Sequence, residues 1–164
     1  MKKGIIFFGI LVLGLSSLNA QDKQFQFGIG PALSVPTGFL QFSQGLGFGA
    51  ELTALYSITE NIKITGQTGY HSFSGKEFLG SKSPTATFIP IILGLRYSSK
   101  GLIVGLGIGY GMYDFGEGDK ESGFSFRPQI GYDLGKIEIL GGYNSTSTSS
   151  VNANYFGITT AYKF

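Results

Sequence analysis

The sequence predicts an all-β fold: an eight-stranded antiparallel up-and-down transmembrane β-barrel that follows a cleaved signal peptide. Three observations predict it. Of the 164 residues 27 are Gly, 15% are aromatic and only 13% are charged. That balance disfavours a helical bundle, because each interior Gly costs a helix about 1 kcal/mol. Beyond Gln21, apolar residues alternate with small or polar ones almost without break, which is the period of a two-faced strand. The segments between the alternating runs are in turn long and short, as in a barrel with loops on one rim and tight turns on the other.

Taken in order, the chain opens with Lys2 and Lys3, an uncharged apolar run over 4–15, and Ser16, Ser17, Leu18, Asn19 and Ala20. This is the order of the three regions of a secretory signal peptide. The run of about 12 residues is too short for a spanning helix, which needs roughly 20. Residues 1–20 are therefore expected to be a signal peptide cleaved after Ala20, and residues 21–164 the barrel domain. Removing Lys2 and Lys3 takes the formal charge from +2 to zero, so nucleic acid is not an expected partner. The absence of Cys excludes a disulfide scaffold, a thiolate zinc site and a cysteine nucleophile.

Strands are expected over 25–35, 46–56, 62–73, 85–97, 102–114, 124–134, 137–144 and 152–164. The first sets Phe25, Phe27, Ile29, Leu33 and Val35 against Gln26, Gly28, Gly30, Ala32 and Ser34, and the second sets Leu46, Phe48 and Leu52 against Gly47, Gly49, Glu51 and Thr53. In the third, Ile62, Ile64 and Tyr70 oppose Lys63, Thr65, Gln67 and His71. The fourth sets Ile89, Ile91, Leu93, Leu95 and Tyr97 against Pro90, Gly94 and Arg96, and the fifth sets Leu102, Val104, Leu106 and Ile108 against a glycine ladder. Longer connections are expected over 36–45, 74–84, 116–123 and 145–151, and shorter ones over 57–61, 98–101 and 135–136. Eight strands near the 9 to 11 residues of a tilted membrane strand suit a bilayer.

The polar face decides which side points outward. A water-facing surface carries about 25–35% charged residues, whereas this face is mainly Gly, Ser, Thr and Gln. Glu51, Lys63, Arg96, Arg127, Asp133, Glu138 and Lys163 all share its parity, and Asp114 alone breaks the rule at a loop edge. Arg or Lys facing lipid at mid-membrane costs about 2–4 kcal/mol, so the apolar face is expected outside and the charges inside. Charges in a filled interior must be paired. A lumen network of Glu51, Lys63, Arg96, Arg127, Asp133 and Glu138 is expected, with Glu51 and Arg127 near mid-strand on opposite walls and Lys63, Arg96, Asp133 and Glu138 toward the short-turn end.

Several motifs carry no separate chemistry. Gly105, Gly107, Gly109 and Gly111 recur every second residue within a strand, with no helix pattern after them, and are not a nucleotide loop. His71, the single His, is followed by Ser72 on the opposite face and by Phe73 on its own, so no nucleophile–base set is suggested and no enzyme is expected. No cofactor and no metal site is expected; residues 116–122 lack the alternating acids of a calcium loop. The run Ser145, Thr146, Ser147, Thr148, Ser149 and Ser150 reads as a solvated loop, and Asn144-Ser145-Thr146 is discounted as a glycosylation sequon.

The turn segment 55–62 (LYSITENI), the block 89–97 (IPIILGLRY), the ladder Gly105-Leu106-Gly107-Ile108-Gly109-Tyr110 and the ending Ala161-Tyr162-Lys163-Phe164 resemble the small eight-stranded outer-membrane barrels of the OmpA/OmpX type, the broad group of outer membrane protein β-barrel domain or porin family proteins. The resemblance covers 24–164. It implies a location in the outer membrane of a Gram-negative-type envelope, and contacts with outer-membrane lipids and lipopolysaccharide, periplasmic chaperones and the assembly machinery. Tyr162 and Phe164 are similar to the family's assembly signal. Trp is absent, so an aromatic girdle rests on Tyr and Phe, and no peptidoglycan-binding domain is expected after Phe164. The expected role is that of a monomeric structural or surface-exposed barrel with a plugged lumen. A channel for ions or small solutes, with a polar path along Gln67, Gln129, Glu51 and Arg127, and an adhesion or host-interaction barrel are the alternative readings.

Overall fold

The computed structural model describes residues 24–78, 81–116, 120–150 and 152–164; the expected signal peptide lies outside them. The long alternating runs form β1 (Phe25–Gly38), β2 (Gln44–Ser57), β3 (Ile62–Gly75), β6 (Ala86–Ser99), β7 (Leu102–Asp114), β8 (Lys120–Asp133), β9 (Ile137–Ser147) and β10 (Asn152–Lys163). One turn of helix, α1 (Leu40–Ser43), joins β1 to β2, and a two-residue ladder of β4 (Glu77–Phe78) and β5 (Ser81–Lys82) lies between β3 and β6. The eight long strands close into a barrel in the order β1-β2-β3-β6-β7-β8-β9-β10, and β10 returns to β1. All eight ladders are antiparallel. Closure leaves no open edge, as lipid requires of any spanning sheet.

The apolar parity faces outward. Leu52, Leu93, Leu95, Ile108 and Ile130 are exposed on the wall, and Glu51, Arg96, Arg127, Glu138 and Lys163 are buried inside it. Phe25, Tyr97, Tyr132, Tyr162 and Phe164 ring the short-turn end, while Phe48, Tyr70, Tyr110, Phe124 and Phe156 ring the other. On β8, Phe124 and Tyr132 are separated by about 26 Å of strand at roughly 3.3 Å per residue, or about 20 Å of membrane depth once tilted. Asp114 stays at the rim, 3.9 Å from Lys120.

Prolines mark where the ladders break. Pro31, Pro90 and Pro128 each sit in a two-residue gap of one ladder (β1–β10, β3–β6 and β8–β9), and pairing on their other side is continuous. A residue without N–H fits a strand where the ladder on one side is open, and Pro36, beyond the end of the β1–β2 ladder, meets the same condition. The short turns follow local chemistry as well. Lys100 and Gly101 both take positive φ, the requirement of a two-residue hairpin whose twist matches its strands.

All four expected long loops are shorter than their sequence suggested, because strands extend into them. Half of the segment 36–45 is strand, on either side of α1; β3 runs on to Gly75 and β8 begins at Lys120, and Ser145 to Ser147 belong to β9, paired with both β8 and β10. The hydroxyl run is a strand here because its inward members are satisfied: Thr146 is fully buried and bonds Ser125 at 2.7 Å.

Candidate functional site

The alternation aims one side chain in two into the lumen, where the contents fall into three tiers. Nearest the long loops, Phe73, Phe88, Tyr113, Tyr155 and Leu40 of α1 form a buried cluster. Phe88 stacks on Tyr113 with ring centroids 4.2 Å apart and meets Tyr155 edge-on at 5.6 Å. The glycine ladder makes room for these rings. A Cβ on Gly111 would come within 2.5 Å of the Phe88 ring, and one on Gly107 within 2.5 Å of Ile92.

The middle tier is centred on Glu51 and Arg127. They come from β2 and β8, four strands apart around the ring in either direction, and meet at 2.9 Å with each only 4% exposed. Glu51 Oε1 also lies 3.1 Å from His71 Nε2, and Oε2 accepts from Thr159 Oγ1 at 3.2 Å. Arg127 spends its remaining donors on Asn144 Oδ1 at 3.2 Å and Tyr155 Oη at 2.9 Å. The Arg127–Asn144 bond spans the ladder gap beside Pro128. Asn144 Nδ2 donates to Thr146 at 3.0 Å, and Ser34 Oγ lies 3.1 Å from His71 Nδ1. Six of the eight strands are thereby tied together through side chains. Within this tier a void of about 10 Å³ is lined by Glu51, Arg127, Gln129, Asn144, Tyr155 and Thr159 among others, which is about the space of one water. Of the expected polar path, Gln129, Glu51 and Arg127 reach this void; Gln67 does not line it.

Ser34, His71 and Glu51 form a hydroxyl–imidazole–carboxylate chain that the sequence did not disclose. With Glu51 ionised, Nε2 donates to it and a neutral ring accepts the Ser34 hydroxyl at Nδ1. The same three groups could activate a nucleophile, and Ser34 is fully buried. Parity placed Ser34 inward; the long-range register that brings it to His71 had no local signal.

At the short-turn end Arg96 Nη1 donates to Glu138 at 2.9 Å, both residues being 2% exposed. Asp133 is held by Lys163, which the expected network had left out. Lys63 corrects that network. Its Nζ donates to the neutral Gln26 Oε1 at 3.2 Å, and among the described residues it makes no ion pair, because Arg96 and Lys163 have taken the two carboxylates. Asn144, the sequon residue, is 1% exposed and committed to Arg127.

The profile of the outer membrane protein beta-barrel domain family matches residues 8–164. Among solved structures the chain is similar to Ail, the attachment invasion locus protein of Yersinia pestis, at 13% identity and TM-score 0.62, covering 85% of this chain and 97% of that one. It is also similar to the N-terminal beta-barrel domain of Pseudomonas aeruginosa OprF, at 8% identity and TM-score 0.61, covering 88% and 100%. Neisserial surface protein A follows at 14% identity and TM-score 0.52, covering 86% and 96%. At these identities the likeness is one of fold. No curated protein matches the chain. The family match spans nearly the whole sequence, and the chain belongs to the outer membrane protein beta-barrel domain family, whose place is the cell outer membrane.

Proposed function

From membership of that family we infer that the protein is a monomeric structural barrel whose lumen is plugged and whose loops face the cell exterior. The observation that carries this reading is the Glu51–Arg127 contact at 2.9 Å, which crosses a lumen already narrow enough for side chains to fill. The aromatic tier above it and the small void of about 10 Å³ beside it support this reading. The barrel is non-catalytic in this reading, since the Ser34–His71 pair is buried. Its partners are outer-membrane lipids and lipopolysaccharide along the wall, and periplasmic chaperones and the assembly machinery during insertion, with Tyr162 and Phe164 as the assembly signal.

The test is solute flux through liposomes that carry the purified barrel. Flux at the level of empty liposomes is expected; large and steady conductance overturns the plugged reading in favour of a channel. One observation favours an added adhesive role. Phe39 and Phe42 flank and line the α1 turn on the long-loop rim, with Phe42 74% exposed, and an interface draws on exposed aromatics of this kind. Replacing both with Ser should abolish cell or matrix binding if that role is present and leave the barrel folded.

A further inference from the structure

We propose that the short-turn mouth of the barrel binds a small oxyanion between Lys63 and Arg96. These two residues are direct cross-strand partners of β3 and β6 on the inward face, so their Cβ atoms are about 4.5–5.5 Å apart, a position in which like charges destabilise a sheet. Nothing on their own strands offsets that repulsion. Among the described side chains, the charges around Lys63 are two cations, Arg96 and Lys163, and two carboxylates, Asp133 and Glu138, and both carboxylates are already engaged by Arg96 and Lys163.

The unused hydrogen-bonding capacity has one sign. Arg96 is 2% exposed; Nη1 is bonded to Glu138, and Nε and Nη2 have no partner. Those two nitrogens are the edge of the guanidinium that offers parallel N–H groups to two oxygens. Deeper on the same face of β3, Gln67 Nε2 is another buried donor without a partner. Among the described residues, the unpartnered buried side-chain atoms in this half of the lumen are donors only. Toward the long loops, by contrast, they include the carbonyl oxygens of Gln44 and Asn154. A ligand for the mouth must therefore accept several hydrogen bonds and carry negative charge, which describes phosphate, sulfate or a carboxylate and excludes a metal cation. Lys63 is only half-buried, so the site is reached from the short-turn rim, the periplasmic side in barrels of this build. It does not depend on whether the lumen conducts.

Inorganic phosphate is the probe, added at constant ionic strength to the full folded chain in phosphatidylcholine vesicles and read by broadening of its phosphorus resonance. Saturable broadening is expected, weakened at least tenfold by Lys63→Gln and retained by Lys63→Arg. Arg96→Lys keeps a cation opposite Glu138 and removes the two-pronged edge, and it should weaken binding as well. Gel mobility before and after boiling shows that each variant is folded. Repeating the titration with phosphatidylglycerol in the vesicles separates the two sources of the anion: unchanged binding means a free oxyanion, and competition means a lipid headgroup phosphate. Broadening that does not saturate, or that is the same in wild type, Lys63→Gln and Arg96→Lys, overturns the proposal.

Discussion

The two halves of the lumen solve the same problem in opposite ways. Toward the long loops aromatic rings pack over a polar network in which Glu51 and Arg127 each have three side-chain partners. Toward the short turns, charges line up along the walls, one cation lacks a carboxylate and one guanidinium keeps an edge free. The first half is over-determined and the second is under-determined. Since a buried charge that loses its partner costs far more than a partly wet one, the same type of substitution should have very different effects at the two ends.

The largest effect is expected at Arg127. Replacing it with Ala strands the Glu51 carboxylate beside a void of about 10 Å³, and breaking a buried pair in this way costs about 3–5 kcal/mol. The Glu51→Ala/Arg127→Ala double variant should be less destabilised than the sum of the single ones, because neither charge is then left alone. Urea unfolding of the barrel in micelles measures all three. Strict additivity would mean that the two groups do not meet.

Tyr155 joins the network to the aromatic tier, and its substitution separates the two contributions. Tyr155→Phe keeps the ring against Phe73 and Phe88 and removes the hydroxyl that accepts from Arg127. A loss of about 1–3 kcal/mol is expected, the usual cost of leaving a buried charged donor short of an acceptor. A loss of that size with unchanged near-ultraviolet circular dichroism would locate it in the hydrogen bond; a change in the aromatic spectrum would locate it in the ring packing instead.

What could be read from the sequence follows the same division. The strands, the outward face and the meeting of Glu51 with Arg127 were legible, because period two fixes parity and opposite walls follow from counting strands. Ser145 to Ser147 were not, since a run of hydroxyl residues has no apolar contrast even when, as at Thr146, alternate members are buried. The Ser34–His71 contact and the choice of Lys163 over Lys63 as the partner of Asp133 depend on register and side-chain reach across the lumen. Local pattern carries neither. Parity says which residues face one another's half-space; the ladder register decides which of them touch.

At the short-turn end the effects should be smaller. Lys163→Met leaves Asp133 without its cation, but that carboxylate is 21% exposed and also accepts the N–H of Gly135 at 2.8 Å. Water can replace part of what is lost, so about 1 kcal/mol is expected, again from urea unfolding. A cost as large as that of Arg127→Ala would show that the mouth is as dry as the middle and would remove the contrast between the two halves.

The smallest effect, and the one whose sign matters most, is expected at Lys63. In phosphate-free buffer Lys63→Gln removes a cation directly across from Arg96 and gives up a single bond to a neutral amide. Relief of like-charge repulsion between cross-strand neighbours is worth roughly 0.2–1 kcal/mol, comparable with the net value of an ordinary hydrogen bond, about 0.5–1.5 kcal/mol. The two nearly cancel, so the unfolding midpoint should stay close to that of wild type. Adding phosphate should then raise the midpoint of the wild type and leave that of the variant where it was, because a ligand stabilises only the form that binds it. If Lys63→Gln instead costs several kcal/mol without any anion present, Lys63 is held by the protein itself, and the mouth is as fully determined as the Glu51–Arg127 network.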